Sequence, residues 1–249
     1  MPATPAWPPK SAPRLFVQDE LGASRAITLE GNQAHYLSKV MRVGAGDTVI
    51  LCDNATGEWA ARVDQVGKRR VEVIVEERLR QREDVSDFWL CPALLKKDRF
   101  DLVLEKATEL GVAEIRPVLT RRCVADKLNL ERAQHIVTEA AEQCARTALP
   151  EVQVPMKLEA LLRDWPEDRA LFFADENGVE PARACFSAHS GPAALLTGPE
   201  GGFDDTERSL LRAHPRVQPI TLGPRILRGE TAAIAATALW MGVAGDWQD

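Results

Sequence analysis

The chain lacks the strings that announce the commoner nucleotide sites. Its 249 residues contain no Gly-x-x-x-x-Gly-Lys-Ser/Thr phosphate loop and no Gly-x-Gly-x-x-Gly dinucleotide fingerprint. Its five cysteines (Cys52, Cys91, Cys123, Cys144, Cys185) are odd in number and never fall in Cys-x-x-Cys spacing, and its four histidines are dispersed. This argues against a disulfide framework and against a metal site, and fits a reducing cytoplasm. No apolar run reaches the length of a membrane span. Residues 1–13 lack the apolar centre of a secretory signal, and their proline density predicts a flexible tail. A global basic excess is missing too: 31 Lys and Arg face 37 Asp and Glu. Residues 1–82 hold 12 basic against 10 acidic side chains, and residues 83–249 hold 19 against 27. Any contact with nucleic acid is therefore local, with a modest bias to the N-terminal part.

What the chain does have is two glycine-containing loops near its end. Leu196-Thr197-Gly198-Pro199-Glu200-Gly201-Gly202-Phe203 follows the apolar run Ala193–Leu196. Leu222-Gly223-Pro224-Arg225-Ile226-Leu227-Arg228-Gly229-Glu230-Thr231-Ala232 follows Val217–Leu222 and precedes an alanine-rich segment. Each reads as a buried strand running into a loop and then a helix. Glycine lets backbone approach a ligand closely, and loops at the carboxyl ends of strands in an open α/β sheet are where ligands bind. Two such loops suggest one pocket with two walls, suited to a flat heterocycle with a small polar edge. By spacing alone, ordinary tight strand–helix turns remain the other reading.

Two domains are expected. Residues 14–82 read as a small β-barrel. Its strands are Arg14–Val17, Ala26–Leu29, Thr48–Cys52, Glu58–Val63 and Arg70–Val75, with a helix from Asn32 to about Met41 carrying Ala34, Leu37, Val40 and Met41 on one face. The charged stretch Glu76–Asp87 marks the boundary. Residues 83–249 alternate strands with helices: Phe88–Leu95, a helix from Asp98 to Leu110, Ile115–Leu119, a helix Leu130–Ala148, then Leu171–Ala174 and Ala193–Leu196. That alternation predicts a mostly parallel sheet covered on both faces. The last helix, Thr231–Trp240, is apolar nearly all round and must be buried, in the core or against a partner chain.

The paired strings Gly-Pro-Glu-Gly-Gly and Leu-Gly-x-Arg-Ile-Leu-Arg-x-Glu-Thr-Ala resemble the C-terminal signature of the RsmE family, SPOUT-class methyltransferases that act on N3 of a uridine in 16S ribosomal RNA. The resemblance continues through Arg14 with Phe16, His35-Tyr36-Leu37, Val40-Met41-Arg42, the run from Lys96 or Lys97 through Asp98, Lys106 and Glu109-Leu110-Gly111, Arg121-Arg122, and Glu142-Gln143-x-x-Arg146. It implies an α/β domain with a C-terminal trefoil knot behind a PUA-like RNA-binding barrel. It further implies S-adenosylmethionine as cofactor, 16S ribosomal RNA in the small subunit as partner, and a homodimer. One departure stands out: Ala133-Gln134-His135 replaces the aromatic and basic residues the family often carries there.

The cofactor candidates are then Leu196, Thr197, Gly198, Pro199, Glu200, Gly201, Gly202, Leu222, Gly223, Ile226, Leu227, Arg228, Thr231 and Ala232, and Glu176, after its strand, is a further cofactor-side candidate. RNA candidates are Arg14, Arg42, Lys68, Arg69, Arg70, Lys97, Arg121, Arg122, Gln143 and Arg146, although Lys68-Arg69-Arg70 also reads as a solvated hairpin turn. Transfer to a weakly acidic N3–H needs the nitrogen to lose its proton. No histidine lies on the two loops, so Arg225, Arg228 and Glu230 are the catalytic candidates. The arginines suit stabilisation of a developing anion. Glu230 also suits a purely structural cap at a helix start. Competing readings are another SPOUT RNA methyltransferase, acting on ribose 2′-oxygen or a different base, and a non-catalytic RNA-binding assembly factor.

Overall fold

The computed structural model describes residues 12–178 and 180–248. Most of the expected N-terminal tail, residues 1–11, lies outside the described residues. The chain divides into two units, residues 1–84 with Ala141–Ala148, and residues 85–140 with 149–249. The division thus falls two residues beyond the expected one, and a short segment of the later chain joins the first unit.

The first unit runs β1 (Arg14–Phe16), β2 (Ala26–Glu30), α1 (Gly31–His35), a π-helical turn (Tyr36–Met41), β3 (Thr48–Cys52), β4 (Glu58–Val66) and β5 (Arg70–Arg80). They form a five-stranded sheet in the order β1-β3-β4-β5-β2, antiparallel except for the β1–β3 pair. Alternation sets the face: Val71, Val73 and Val75 are fully buried, and Ile27 and Leu29 on β2 join them. The helix expected over Asn32–Met41 is α-helical only to His35, and the chain leaves the wider π turn at Arg42 with φ of 56°. The extra residue per turn rotates the apolar face. Leu37 enters the core, whereas Val40 and Met41 face solvent.

A buried carboxylate organises this unit. Glu58 accepts from Arg14 Nε at 2.7 Å and from the Arg80 guanidinium, and Arg80 also reaches the Ala145 carbonyl. Glu142 takes the Phe16 N–H at 2.8 Å.

The second unit begins with β6 (Phe88–Pro92), α2 (Lys97–Glu109), β7 (Glu114–Ile115), β8 (Val118–Leu119) and α3 (Leu130–Cys144), whose end from Ala141 belongs to the first unit. It continues with β9 (Glu151–Val152), β10 (Met156–Lys157), α4 (Leu158–Arg163), β11 (Ala170–Ala174), α5 (Ala182–Ser187), β12 (Ala193–Thr197), α6 (Asp205–Ala213), β13 (Val217–Ile220) and α7 (Gly229–Val243). Six strands form an all-parallel sheet, β13-β11-β12-β6-β7-β9, and β8 pairs separately with β10. The expected strand Ile115–Leu119 splits at Arg116-Pro117, where proline has no N–H for a ladder. The helix expected to Ala148 ends at Cys144, and Ala145 turns left-handed with φ of 63°.

Every residue of β12 is buried, as a central parallel strand covered on both faces requires. α7 lies on one face of this sheet. Ala233 and Ala236 let it pack closely, and Trp240 stacks on Phe88 of β6 at 4.8 Å. Its burial is one-sided: Thr231 and Ala235 are exposed.

Trp240→Ala should destabilise the second unit by about 3–5 kcal/mol, the usual cost of emptying an aromatic site in a core. Urea unfolding followed by circular dichroism reads this as a lower midpoint.

Candidate functional site

The parallel sheet sets the site. β11 lies between β12 and β13, so the loops leaving β12 and β13 flank the residues that follow β11. A cavity of about 210 Å³ opens there. Its walls are Gly198, Pro199, Glu200, Gly202 and Phe203 from the first loop, and Thr221 to Leu227 with Gly229 and Ala232 from the second. Ala174, Asp175 and Glu176 close it from β11, and Arg208 from α6.

Most of the expected cofactor residues therefore meet at one cavity. Leu196 and Thr197 do not line it; they are buried inside β12. Gly201, Arg228 and Thr231 also lie off the wall, as does Glu230, whereas Arg225 lies on it. Sequence reasoning passed over Asp175 and Arg208. Their signal was tertiary, since only the strand order brings the end of β11 between the two loops.

Asp175 is the electrostatic anchor. Its side chain is fully buried and pairs with Arg208 and with Arg212 at 2.6 Å. Arg208 also bonds the Glu176 carboxylate and the Phe203 carbonyl. Buried charge persists only when paired and hydrogen-bonded, and here that pairing ties α6 to the end of β11.

The first loop is held from outside by arginines. Arg122 Nη1 donates to the Gly201 carbonyl at 2.9 Å, and Arg121 donates through its backbone to Glu207 and through its guanidinium to Asp204 at 3.0 Å. Asp204 and Glu207 close a capping box on α6. The Glu207 backbone N–H, with the Arg121 guanidinium, holds the Asp204 carboxyl below its ordinary value of 3.8. A depressed carboxylate stabilises the fold above that value and loses its contribution as pH falls through the folded value. Arg99 Nη1 approaches Glu200 at 3.3 Å.

In the second loop Gly223 has φ of +110°, a conformation side chains resist. Gly229 is a matter of space: a Cβ there would meet Leu95 Cδ2 at 2.8 Å and the Gly198 carbonyl oxygen at 2.9 Å. Ile226, at the rim, is 85% exposed.

The RNA candidates divide. Arg42, Lys68, Arg69, Lys97 and Gln143 are exposed, and Arg70 is exposed beside Glu72 at 3.1 Å. In the first unit His35, Lys39, Lys68, Arg69 and Arg70 border a broad cavity of about 790 Å³. Two candidates need correction. Arg146 is 5% exposed and lies 3.6 Å from Glu83. Arg14 is committed to Glu58 and to the Glu142 carbonyl. Both hold the first unit together, because a guanidinium out of water needs fixed acceptors. Arg121 and Arg122 remain exposed but spend their donors on the first loop.

Among the described residues no group of three or more His, Cys, Asp or Glu side chains is placed to hold a metal ion, and no helix is long and apolar enough to cross a membrane. Burial pushes the Cys52 and Cys91 thiols up to about 12, which removes them as nucleophiles near neutral pH.

Known proteins are similar to this chain in sequence and fold. A family model for an RNA methyltransferase domain matches residues 82–241, and one for an RNA methyltransferase PUA domain matches residues 29–76. The ribosomal RNA small subunit methyltransferase E of Rickettsia conorii is 31% identical over 90% of this chain and 93% of its own. The protein of that name from Synechocystis is 36% identical over 90% of this chain and 76% of its own. A ribosomal RNA small subunit methyltransferase E from Neisseria gonorrhoeae, solved bound to S-adenosyl methionine, superposes with a TM-score of 0.85 at 29% identity, covering 95% of this chain and 100% of that one.

Gly229→Ala should cost about 1–3 kcal/mol, because the new methyl group meets a backbone oxygen that cannot step aside. Gly223→Ala, with open space around it, should cost only the strain of its backbone angle, about 1 kcal/mol. Denaturant midpoints of the two variants separate crowding from strain.

Proposed function

Because the chain belongs to the ribosomal RNA small subunit methyltransferase E family, we propose that it methylates N3 of one uridine in 16S ribosomal RNA, using S-adenosylmethionine. The observation that carries this reading is the convergence of both glycine loops on one cavity beside Asp175 and Glu176. The lining suits such a cofactor. Gly198, Gly202 and Gly223 present backbone without side chains, Leu222, Leu227 and Phe203 offer an apolar bed, and the Glu176 and Glu200 carboxylates suit a cationic ligand.

S-adenosylmethionine, when bound, supplies an electrophilic methyl group. The chain's own residues bind, align and exclude water. Leu222, Ile226 and Leu227 shield the reacting end. Arg225 and Arg228 stabilise the developing uracil anion, and Glu230 receives the N3 proton. The Arg42, Lys68, Arg69 and Arg70 side chains of the first unit hold phosphates, with Lys97 and Gln143 as further contacts.

Two architectural proposals accompany this. The segment after β13 and α7 form a trefoil knot; its support is that Gly229 is wedged between Leu95, after β6, and Gly198, after β12. The exposed side of α7, with Thr231 and Ala235, meets a second copy in a homodimer. The work is cytoplasmic, where ribosomal subunits are assembled.

The test mixes purified protein, labelled S-adenosylmethionine and small subunits lacking the modification, then maps the product by mass spectrometry. Labelled N3-methyluridine at one position is expected. A label on ribose oxygen, or cofactor binding without transfer, would contradict the assignment. Arg228→Ala and Glu230→Ala should each lower turnover by roughly 100-fold or more with little change in melting temperature. A melting loss that tracks the activity loss would return both residues to a structural role.

A further inference from the structure

Arg99 was not among the residues the loops singled out, yet it pairs with a carboxylate of the first loop and with one just past the second. It lies in the first turn of α2, one third exposed, with Nη1 3.3 Å from Glu200 Oε1 and Nε 3.8 Å from Glu230 Oε1. Glu200 belongs to the first loop and lines the cavity. Glu230 follows the second loop, in the first turn of α7, and is not among the residues lining the cavity. One side chain from a third element therefore links the first loop to the start of α7, where the second loop ends.

Glu230 makes the arrangement more than a surface ion pair. Its side chain is 13% exposed, and its Oε2 is buried with no hydrogen-bond partner. A buried acceptor without a donor calls for an explanation, and a site completed by its ligand is one. The Arg99 ion pair falls on Oε1 and leaves Oε2 as the unpaired atom. A guanidinium suits this task because its planar fork addresses two acceptors at once, whereas an ammonium acts as a point charge.

We propose that Arg99 is a positioning residue for methyl transfer. It sets Glu200 against the cofactor and Glu230 against the substrate through one guanidinium, so that cofactor binding and turnover share a single support. This rests on the function proposed above. Its signature is a split effect: loss of Arg99 disturbs cofactor binding through Glu200 and turnover through Glu230.

The experiment compares wild type, Arg99→Gln, Arg99→Lys, Glu200→Gln, Glu230→Gln and the two Arg99→Gln double variants. Readouts are calorimetric binding of S-adenosylmethionine, kcat and KM with small subunits, and melting temperature. Arg99→Gln should raise the KM for S-adenosylmethionine and lower kcat, each about 10-fold, with the melting temperature preserved. Arg99→Lys should recover part of both. In the Glu230→Gln background the kcat effect of Arg99→Gln should vanish, and in the Glu200→Gln background the KM effect should vanish, because coupled residues are non-additive. Unchanged kinetics, full additivity in both backgrounds, or a melting loss in step with activity would each overturn the proposal. A wild-type chain that binds no cofactor and transfers no methyl group overturns the functional reading as well, whereas an active wild type with an unaffected Arg99→Gln variant sinks the Arg99 role alone.

Discussion

The close approach at Gly229 governs the second unit. With Leu95 on one side and the Gly198 carbonyl on the other, there is no volume for even a methyl group. That contact joins the segment after β6, the loop after β12 and the start of α7. From there α7 runs along the sheet face, where Trp240 stacks on Phe88. The small residues of α7 extend the same logic along the helix, since Ala233 and Ala236 permit packing that longer side chains would prevent.

Buried carboxylates do the complementary work. Asp175 draws Arg208 and Arg212 inward at the cavity floor, and Glu58 draws Arg14 and Arg80 together in the first unit. In each case the carboxylate is hidden from water and paired with two arginines. At the cavity rim Glu176 is paired with Arg208, and Glu200 is approached by Arg99. A rim of fixed charges costs less reorganisation when a ligand arrives than one of free side chains would.

The sequence carried the loops and the strand–helix alternation, because periodicity and glycine placement are local signals. It also carried the family, since the Arg225-Ile226-Leu227-Arg228 string has a specificity that spacing lacks. It did not carry the strand order, which alone brings Asp175 beside Gly198 and Gly223. Nor did it reveal that Arg14 and Arg146 pair with glutamates of their own unit: a charged residue on a shared motif looks the same whether it meets phosphate or a carboxylate. The π turn at Tyr36–Met41 was illegible for a related reason, as a one-residue widening leaves the apolar spacing nearly unchanged while rotating Val40 and Met41 out of the core.

The central claim is that the two glycine loops, with the end of β11, form one cofactor pocket. Hydrogen exchange with and without S-adenosylmethionine tests it most directly. The account predicts protection concentrated at residues 198–203 and 221–232, with a smaller effect at 174–176. Protection confined to one loop, or centred elsewhere in the chain, would contradict it.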